Sequence, residues 1–182
     1  MSNSTKLDRY EQEVIQHLDA AYNLARWLTR SNQDAEDVVQ ESCLRACKYF
    51  NGYNGGNIRS WLLTIVRNTT YTWLQQNRVH DNNTVSDEEL SNFESPTVSP
   101  ETAMIQNIDK ETISNALAAL PTEYREILVL RELEGLSYKE ISDIADLPVG
   151  TVMSRLSRAR KRLQQYLIGG DSAEGTNEQK QS

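Results

Sequence analysis

Apolar residues recur at a helical period along most of this chain, and the pattern lapses in few places. From Leu7 to Arg30, Val14, Leu18, Ala21, Ala25 and Leu28 share one stripe, with Tyr22 and Trp27 beside it. That spacing predicts a long amphipathic helix. The polar run Ser31-Asn32-Gln33-Asp34 interrupts it, and Asp34 suits the N-cap of the next helix, DAEDVVQESCLRACKYF. Its expected inner face is Val39, Cys43, Ala46, Cys47 and Phe50. A glycine-rich loop, Asn51 to Asn57, leads into a second long helix, NIRSWLLTIVRNTTYTWLQQNR, with Ile58, Leu62, Ile65 and Thr69 on one side.

Between Val79 and Glu111 the pattern stops. HDNNTVSDEELSNFESPTVSPETAM is polar and acidic and contains two of the four prolines, so it reads as a flexible linker between domains. Helical periodicity returns from Asp109, with Ile113, Leu117 and Leu120 ahead of Pro121. Pro121 opens a further helix through Glu132, carrying Ile127, Leu128 and Leu130, and Gly135 ends it. SYKEISDIADLPVGTVMSRLSRARKRLQQYL then reads as a short helix, a tight turn and a second helix. That last helix has Val152, Leu156, Ala159 and Leu163 at i, i+4, i+7 and i+11. From Gly169 the sequence reads as a polar, disordered tail. The expected fold is all-α: two small helical domains joined by a flexible acidic linker, the C-terminal one a helix-turn-helix. The expected bounds are 7–80 and 109–168 for the domains, 81–108 for the linker and 169–182 for the tail.

Charge sharpens this picture. The chain carries a net charge of −7, and between Asp81 and Thr112 there are eight acidic residues and one lysine. Thr151 to Ile168 is the reverse, with Arg155, Arg158, Arg160, Lys161 and Arg162 and no acid. Thr151 follows Pro148 and Gly150, where its hydroxyl is placed to cap free N–H groups. A basic helix is often no more than a solvated face. Here the turn chemistry, the one-sided charge and the preceding helix coincide, which favours a helix that lies in a DNA major groove. An acidic chain with one local basic face should bind DNA weakly by itself, with a partner supplying the rest.

Other chemistry is poorly supported. Cys43 and Cys47 stand four apart on a predicted helix and suit core packing. A zinc site wants about four ligands, and the only histidines, His17 and His80, are distant in sequence. No cofactor, metal or small-molecule substrate is expected. Asp34, Asp37 and Glu41 lie at i, i+3 and i+7, where carboxylates also favour the helix dipole; no histidine accompanies them for catalysis. The Asn51 to Asn57 loop lacks a P-loop lysine and a preceding strand. Asn68, Tyr71, Trp61 and Trp73 are interleaved with Arg59, Arg67 and Arg78, a composition that suits stacking on unpaired bases. Aromatics at helical spacing are more often core, and that is the expectation for Trp61. No apolar run reaches the roughly 18 residues of a bilayer span, and MSNSTKLDRYEQE is unlike a secretory signal. A cytoplasmic protein is expected.

These segments together resemble an extracytoplasmic-function sigma factor, a compact member of the bacterial sigma-70 family. DAEDVVQESCLRA looks like the family's core-polymerase-binding helix. RSWLLTIVRNTTYTWLQQNR is similar to its promoter-melting, minus-ten-reading helix. ALAALPTEYREILVLRELEGLSYKEISDIADLPVGTVMSRLSRARKRL looks like its minus-thirty-five-reading domain. The resemblance spans residues 10–80 and 110–167 in the family's order. It implies that Asp34, Asp37, Gln40 and Glu41 dock on the clamp helices of the polymerase largest subunit, with the flap of the second-largest subunit as a further contact. It implies a minus-ten role for Asn68, a flipped base received by the loop containing Asn54, and weaker roles for Arg67, Tyr71, Trp73 and Arg78. In the second domain, Met153, Ser154, Ser157 and Arg158 match positions that face bases, beside Thr151. Arg155, Lys161 and Arg162 are better suited to phosphates or packing edges. An anti-sigma factor, in the family often membrane-anchored, is a further implied partner.

Three departures stand out. Ser142 replaces a usual alanine, Asp146 a usual turn glycine, and Met153 a frequent basic residue. The rival from another class is a conventional helix-turn-helix regulator with an N-terminal helical dimerisation domain. It accounts equally well for Ser137 to Leu167 but leaves the acidic helix and the Trp61 to Trp73 helix as coincidences.

Overall fold

The computed structural model describes residues 3–81 and 103–174. Most of the predicted linker and the end of the predicted tail lie outside the described residues. Among the described residues every regular element is helical.

The first predicted helix is two. α1 (Asn3–Val14) and α2 (Leu18–Thr29) are separated by a 3₁₀ turn at Ile15–His17. There the Leu18 N–H reaches back only to the Ile15 carbonyl, and His17 leaves helical geometry at φ −112°. The apolar stripe survives the break, with Val14, Ala21, Ala25 and Leu28 buried.

α3 (Asn32–Tyr49) is capped by Ser31 rather than Asp34; the Ser31 Oγ accepts from the Asp34 N–H at 3.3 Å. Asp34 therefore sits in the first turn, where its charge meets the positive end of the helix dipole. The buried face also differs from expectation. It is Ala35, Val38, Ser42 and Ala46, while Val39, Cys43 and Cys47 are half-buried. α3 packs against both α2 and α4 (Ile58–Asp81), and such close approach selects small side chains. The Ser42 hydroxyl is satisfied within the helix, donating to the Val38 carbonyl at 2.6 Å.

Asn57 caps α4, its Oδ1 accepting from the Ser60 N–H at 3.1 Å. α5 (Ala103–Ala119) is followed by α6 (Thr122–Leu128), which widens into a π-helical turn, Val129–Leu133, before Gly135 at φ 65°. Ile113, expected in the core, is 44% exposed. The helix-turn-helix is α7 (Tyr138–Ala145) and α8 (Val149–Glu174). Thr151 is not the cap of α8, because the Pro148 carbonyl already accepts from the Thr151 and Val152 N–H groups at 2.9 and 3.1 Å. α8 also continues through Gly169 to Glu174, where a disordered tail was expected. Glycine lowers helix propensity by about 1 kcal/mol but does not interrupt the N–H···O ladder.

The two predicted domains share one core. Leu24, Leu28, Leu62, Leu63 and Val66 belong to the same apolar cluster as Leu120, Ile127, Leu130, Leu136, Ile141 and Leu156. α2 packs on α6 and α4 on α7, so the helix expected to read DNA is also a wall of the seam.

Candidate nucleic-acid interface

Polar side chains cross that seam in a row. On α4, Arg67 donates to the carboxylate of Glu126, the Tyr71 hydroxyl donates to the same carboxylate at 2.8 Å, and the Arg67 guanidinium lies 4.4 Å over the Tyr71 ring. Glu126 is fully buried and Arg67 mostly so. Burial alone would lower the Arg67 pKa, but the hydrogen bond and charge of Glu126 outweigh it and raise it. The Tyr71 pKa is raised as well, by burial first and then by the Glu126 charge. Two further acids repeat the arrangement. Glu134 accepts from Arg59 at 2.8 Å and from Asn23 at 2.6 Å, and Glu140 accepts from Asn57 at 2.7 Å.

The expected minus-ten residues therefore divide. Asn54 and Asn68 are exposed, Arg67 and Tyr71 are engaged by Glu126, and Trp73 packs against the core. Trp61, half-buried against Phe50 and Tyr53, packs as expected. Arg78 lines a cleft of about 720 Å³ with Arg30, Tyr71, Leu74, Leu120 and Pro121.

The helix-turn-helix is built by local chemistry. A capping box starts α7: the Ser137 Oγ accepts from the Glu140 N–H at 3.1 Å and the Glu140 carboxylate accepts from the Ser137 N–H at 2.7 Å. Asp146 ends α7 in the left-handed region at φ 53°, and the Ser142 hydroxyl donates to the Leu147 carbonyl at 2.5 Å. Ser142 and Asp146 thus both fit the turn. α8 buries Val152, Leu156 and Ala159 and presents Met153, Ser154, Ser157, Arg158 and Lys161 to solvent. Thr151 and Arg155 are half-buried, Arg155 lying 4.0 Å from Glu123, and Arg162 lies over the Tyr124 ring at 5.2 Å. Arg155 and Arg162 thus lie at the packing edge of the exposed α8 face. On α3, Asp37, Gln40 and Glu41 are exposed and Asp34 half-buried, with Leu44 beside them 65% exposed.

Two family models match the chain. Residues 14–79 match the model for sigma-70 region 2 and residues 110–163 that for sigma-70, region 4. The chain is 33% identical to the ECF RNA polymerase sigma-E factor of Haemophilus influenzae, over 87% of this chain and 83% of that one. It is 37% identical to the sigma-E factor of Salmonella typhimurium, over 71% of this chain and 72% of the relative. This chain belongs to the extracytoplasmic-function group of the sigma-70 family. It spans 61% of the length of another relative, the sigma factor SigE of Mycolicibacterium smegmatis, at 33% identity. Among solved structures, it resembles the sigma factor RpoE in complex with the anti-sigma factor NepR from Bartonella quintana. There the TM-score is 0.70 and the identity 30%, over 88% of this chain and 97% of that one. A likeness to CnrH in complex with the cytosolic domain of CnrY, at TM-score 0.64 and 23% identity over 88% of each chain, concerns the fold alone.

In sigma-family terms, region 2 holds α2 to α4 and region 4 holds α5 to α8. Sequence reasoning missed the acids of region 4. Glu126 had a signal, since it directly adjoins the apolar run Ile127-Leu128-Val129-Leu130. It also missed Arg125, which is 1% exposed and donates to the Ala118 and Leu120 carbonyls at 2.9 and 3.3 Å, closing the C-terminal end of α5. Burial, with the nearby Arg30 charge, pushes the Arg125 pKa down to about 10. Among the described residues no group of three or more His, Cys, Asp and Glu side chains could hold a metal, and no helix is long and apolar enough to cross a membrane.

Proposed function

We propose that this sigma factor acts through three surfaces: the acidic face of α3, the loop-and-α4 face of region 2, and the open face of α8. The α3 face, with Asp34, Asp37, Gln40 and Glu41, docks on core RNA polymerase at the clamp helices of its largest subunit; region 4 is carried on the flap of the second-largest. The α8 face reads the minus-thirty-five element through Met153, Ser154, Ser157 and Arg158, while Lys161 contributes phosphate attraction. Asn68 and the loop around Asn54 read the minus-ten strand once the duplex opens, with stacking and cationic support from Arg67, Tyr71, Trp73 and Arg78. The work is binding and positioning, and polymerase supplies the bond-forming chemistry.

One observation carries the reading: an exposed acidic helix face and an exposed basic recognition helix stand in one chain whose two halves match regions 2 and 4 in order. The net charge of −7 supports the division of labour, because DNA affinity then depends on polymerase. The NepR-bound relative supports control by an anti-sigma factor. A conventional regulator would use α8 in the same way but leaves the α3 face without a role.

The deciding experiment is run-off transcription with purified core polymerase on fragments of the protein's own upstream region. Specific transcripts that depend on the protein are expected. A protein-only shift of duplex DNA, without any transcript, would replace this reading with the regulator.

A further inference from the structure

We propose that the cleft between the end of α2, the second half of α4 and the start of α6 is a binding site for a nucleoside polyphosphate. The site goes beyond promoter recognition and does not depend on it. The cleft holds about 720 Å³, inside the roughly 300–1,000 Å³ range of small-molecule sites, which favour junctions between helical units. Its lining divides by chemistry. Leu74, Leu120 and Pro121 join Tyr71 in a largely apolar side that suits a base, and Arg30 and Arg78 supply two guanidiniums.

Positive charge is in excess there. Among the described residues neither the Arg30 nor the Arg78 side chain has a carboxylate or hydrogen-bond partner. The acid at the rim, Glu123, is 65% exposed and lies 4.0 Å from Arg155. A third guanidinium stands behind the lining. Arg125 is 1% exposed; its Nη1 donates to backbone carbonyls, its Nη2 donates to the Thr122 hydroxyl at 3.3 Å, and its buried Nε has no partner. Thr122 lines the cleft, so the buried cation is one side chain away from it. After burial itself, the like charge of Arg30 is the largest influence lowering the Arg125 pKa. A buried cation without an acid is costly, and clustered cations beside a low-dielectric wall focus positive potential into a cleft. A row of phosphates is the complement, because planar guanidiniums take phosphate oxygens in pairs.

The backbone of Arg30 points the same way. Arg30 ends α2 in the left-handed region at φ 61°, where glycine is the usual residue. Its N–H donates to the Arg26 carbonyl at 2.8 Å, a bond that glycine would make equally well. Strained backbone of this kind gathers at ligand sites. A side chain needed in the cleft accounts for the arginine.

The test uses the full chain without polymerase or promoter. ATP, GTP, CTP and UTP are titrated in turn by calorimetry without divalent metal, beside inorganic triphosphate and adenosine. At least one nucleotide should bind about tenfold tighter than inorganic triphosphate, the gain expected from stacking one base. It should also raise the melting temperature by mass action, and adenosine should not bind. Arg78→Ala should weaken the binding about tenfold through loss of charge-assisted hydrogen bonds. Arg30→Gly separates ligand from fold: the unliganded melting temperature should hold or rise as the left-handed strain is relieved, while affinity falls about tenfold. Should Arg30→Gly fail to fold, Arg78→Ala decides alone. Unchanged affinity in the folded variants overturns the site. Inorganic triphosphate binding as tightly as every nucleotide also overturns it, leaving a charged patch without a base pocket. So does the absence of nucleotide binding beside a single-stranded DNA oligonucleotide held through the same two arginines, which assigns the cleft to the DNA path.

Discussion

Asn57 and Glu140 each start a helix, and their side chains hydrogen-bond to each other at 2.7 Å across 83 residues of sequence. Asn57 Oδ1 caps α4 while its Nδ2 reaches Glu140, whose carboxylate closes the capping box of α7. Two local devices thereby become one tertiary contact between regions 2 and 4. Asn57→Asp should separate the roles. Aspartate caps a helix as well as asparagine does, but it sets a carboxylate against Glu140. We expect an unchanged helical signal by circular dichroism and a loss of about 1 kcal/mol in urea unfolding. Equal stability would show that the contact contributes nothing to the seam.

The same carboxylate gives a pH dependence. Glu140 is held below its ordinary value of 4.5, first by the Ser137 backbone N–H, with further help from the Ser137 side chain, Asn57 and Arg59 against the opposing effect of burial. The folded-state value is the lower one. Its contribution is therefore fully present above the unfolded-state value and is lost as pH falls through the folded-state value. Urea midpoints should drop as pH falls below 4.5. Glu140→Gln, which can keep the capping-box hydrogen bonds, should flatten that part of the profile. A variant profile parallel to the parent's would assign the acid sensitivity elsewhere.

Asp146 occupies a position that favours glycine, at φ 53° with its N–H on the Ser142 carbonyl. Asp146→Gly should relieve the left-handed cost and, after the greater freedom of glycine in the unfolded chain, raise stability by about 0.5 kcal/mol. Thermal melts would detect it. A loss instead would mean that the Asp146 carboxylate makes a stabilising contact of its own.

Charge reversal of Asp37 and Glu41 to lysine should weaken binding to core polymerase while leaving the fold intact. Among the described residues, the ion pair disturbed is Glu41–Arg45, 2.8 Å apart with both side chains at least 42% exposed. Such a pair contributes about 0.3–0.5 kcal/mol. Competition binding against labelled parent protein measures the effect, and undiminished affinity would move the docking face away from α3.

Arg158 stands exposed on α8 with the buried Leu156 and Ala159 behind it. Arg158→Ala should cost about 1–3 kcal/mol of promoter recognition if the side chain makes a bidentate base contact. Transcription across a panel of minus-thirty-five variants distinguishes the roles: relaxed preference at one position marks a base contact, and uniform loss a phosphate contact.

The helical period alone determined much of this protein. It located α4, the α7–α8 pair and the buried stripe Val152, Leu156 and Ala159, because an amphipathic helix must turn its apolar positions inward wherever it packs. Short-range chemistry also showed in the sequence, as in Asp146, an aspartate able to take the left-handed end of α7. What failed was what depends on neighbours. The inner face of α3 is turned toward Ala35, Val38 and Ser42 because two helices crowd it, and Ile113 stays exposed although its spacing fits a core position. The seam was beyond sequence reasoning altogether. Nothing local pairs Arg67 with a carboxylate 59 residues away, or merges the two halves into one core. Periodicity specifies which face of a helix is apolar; only the packed chain decides what that face meets, and so which of the candidate DNA-contacting side chains are free.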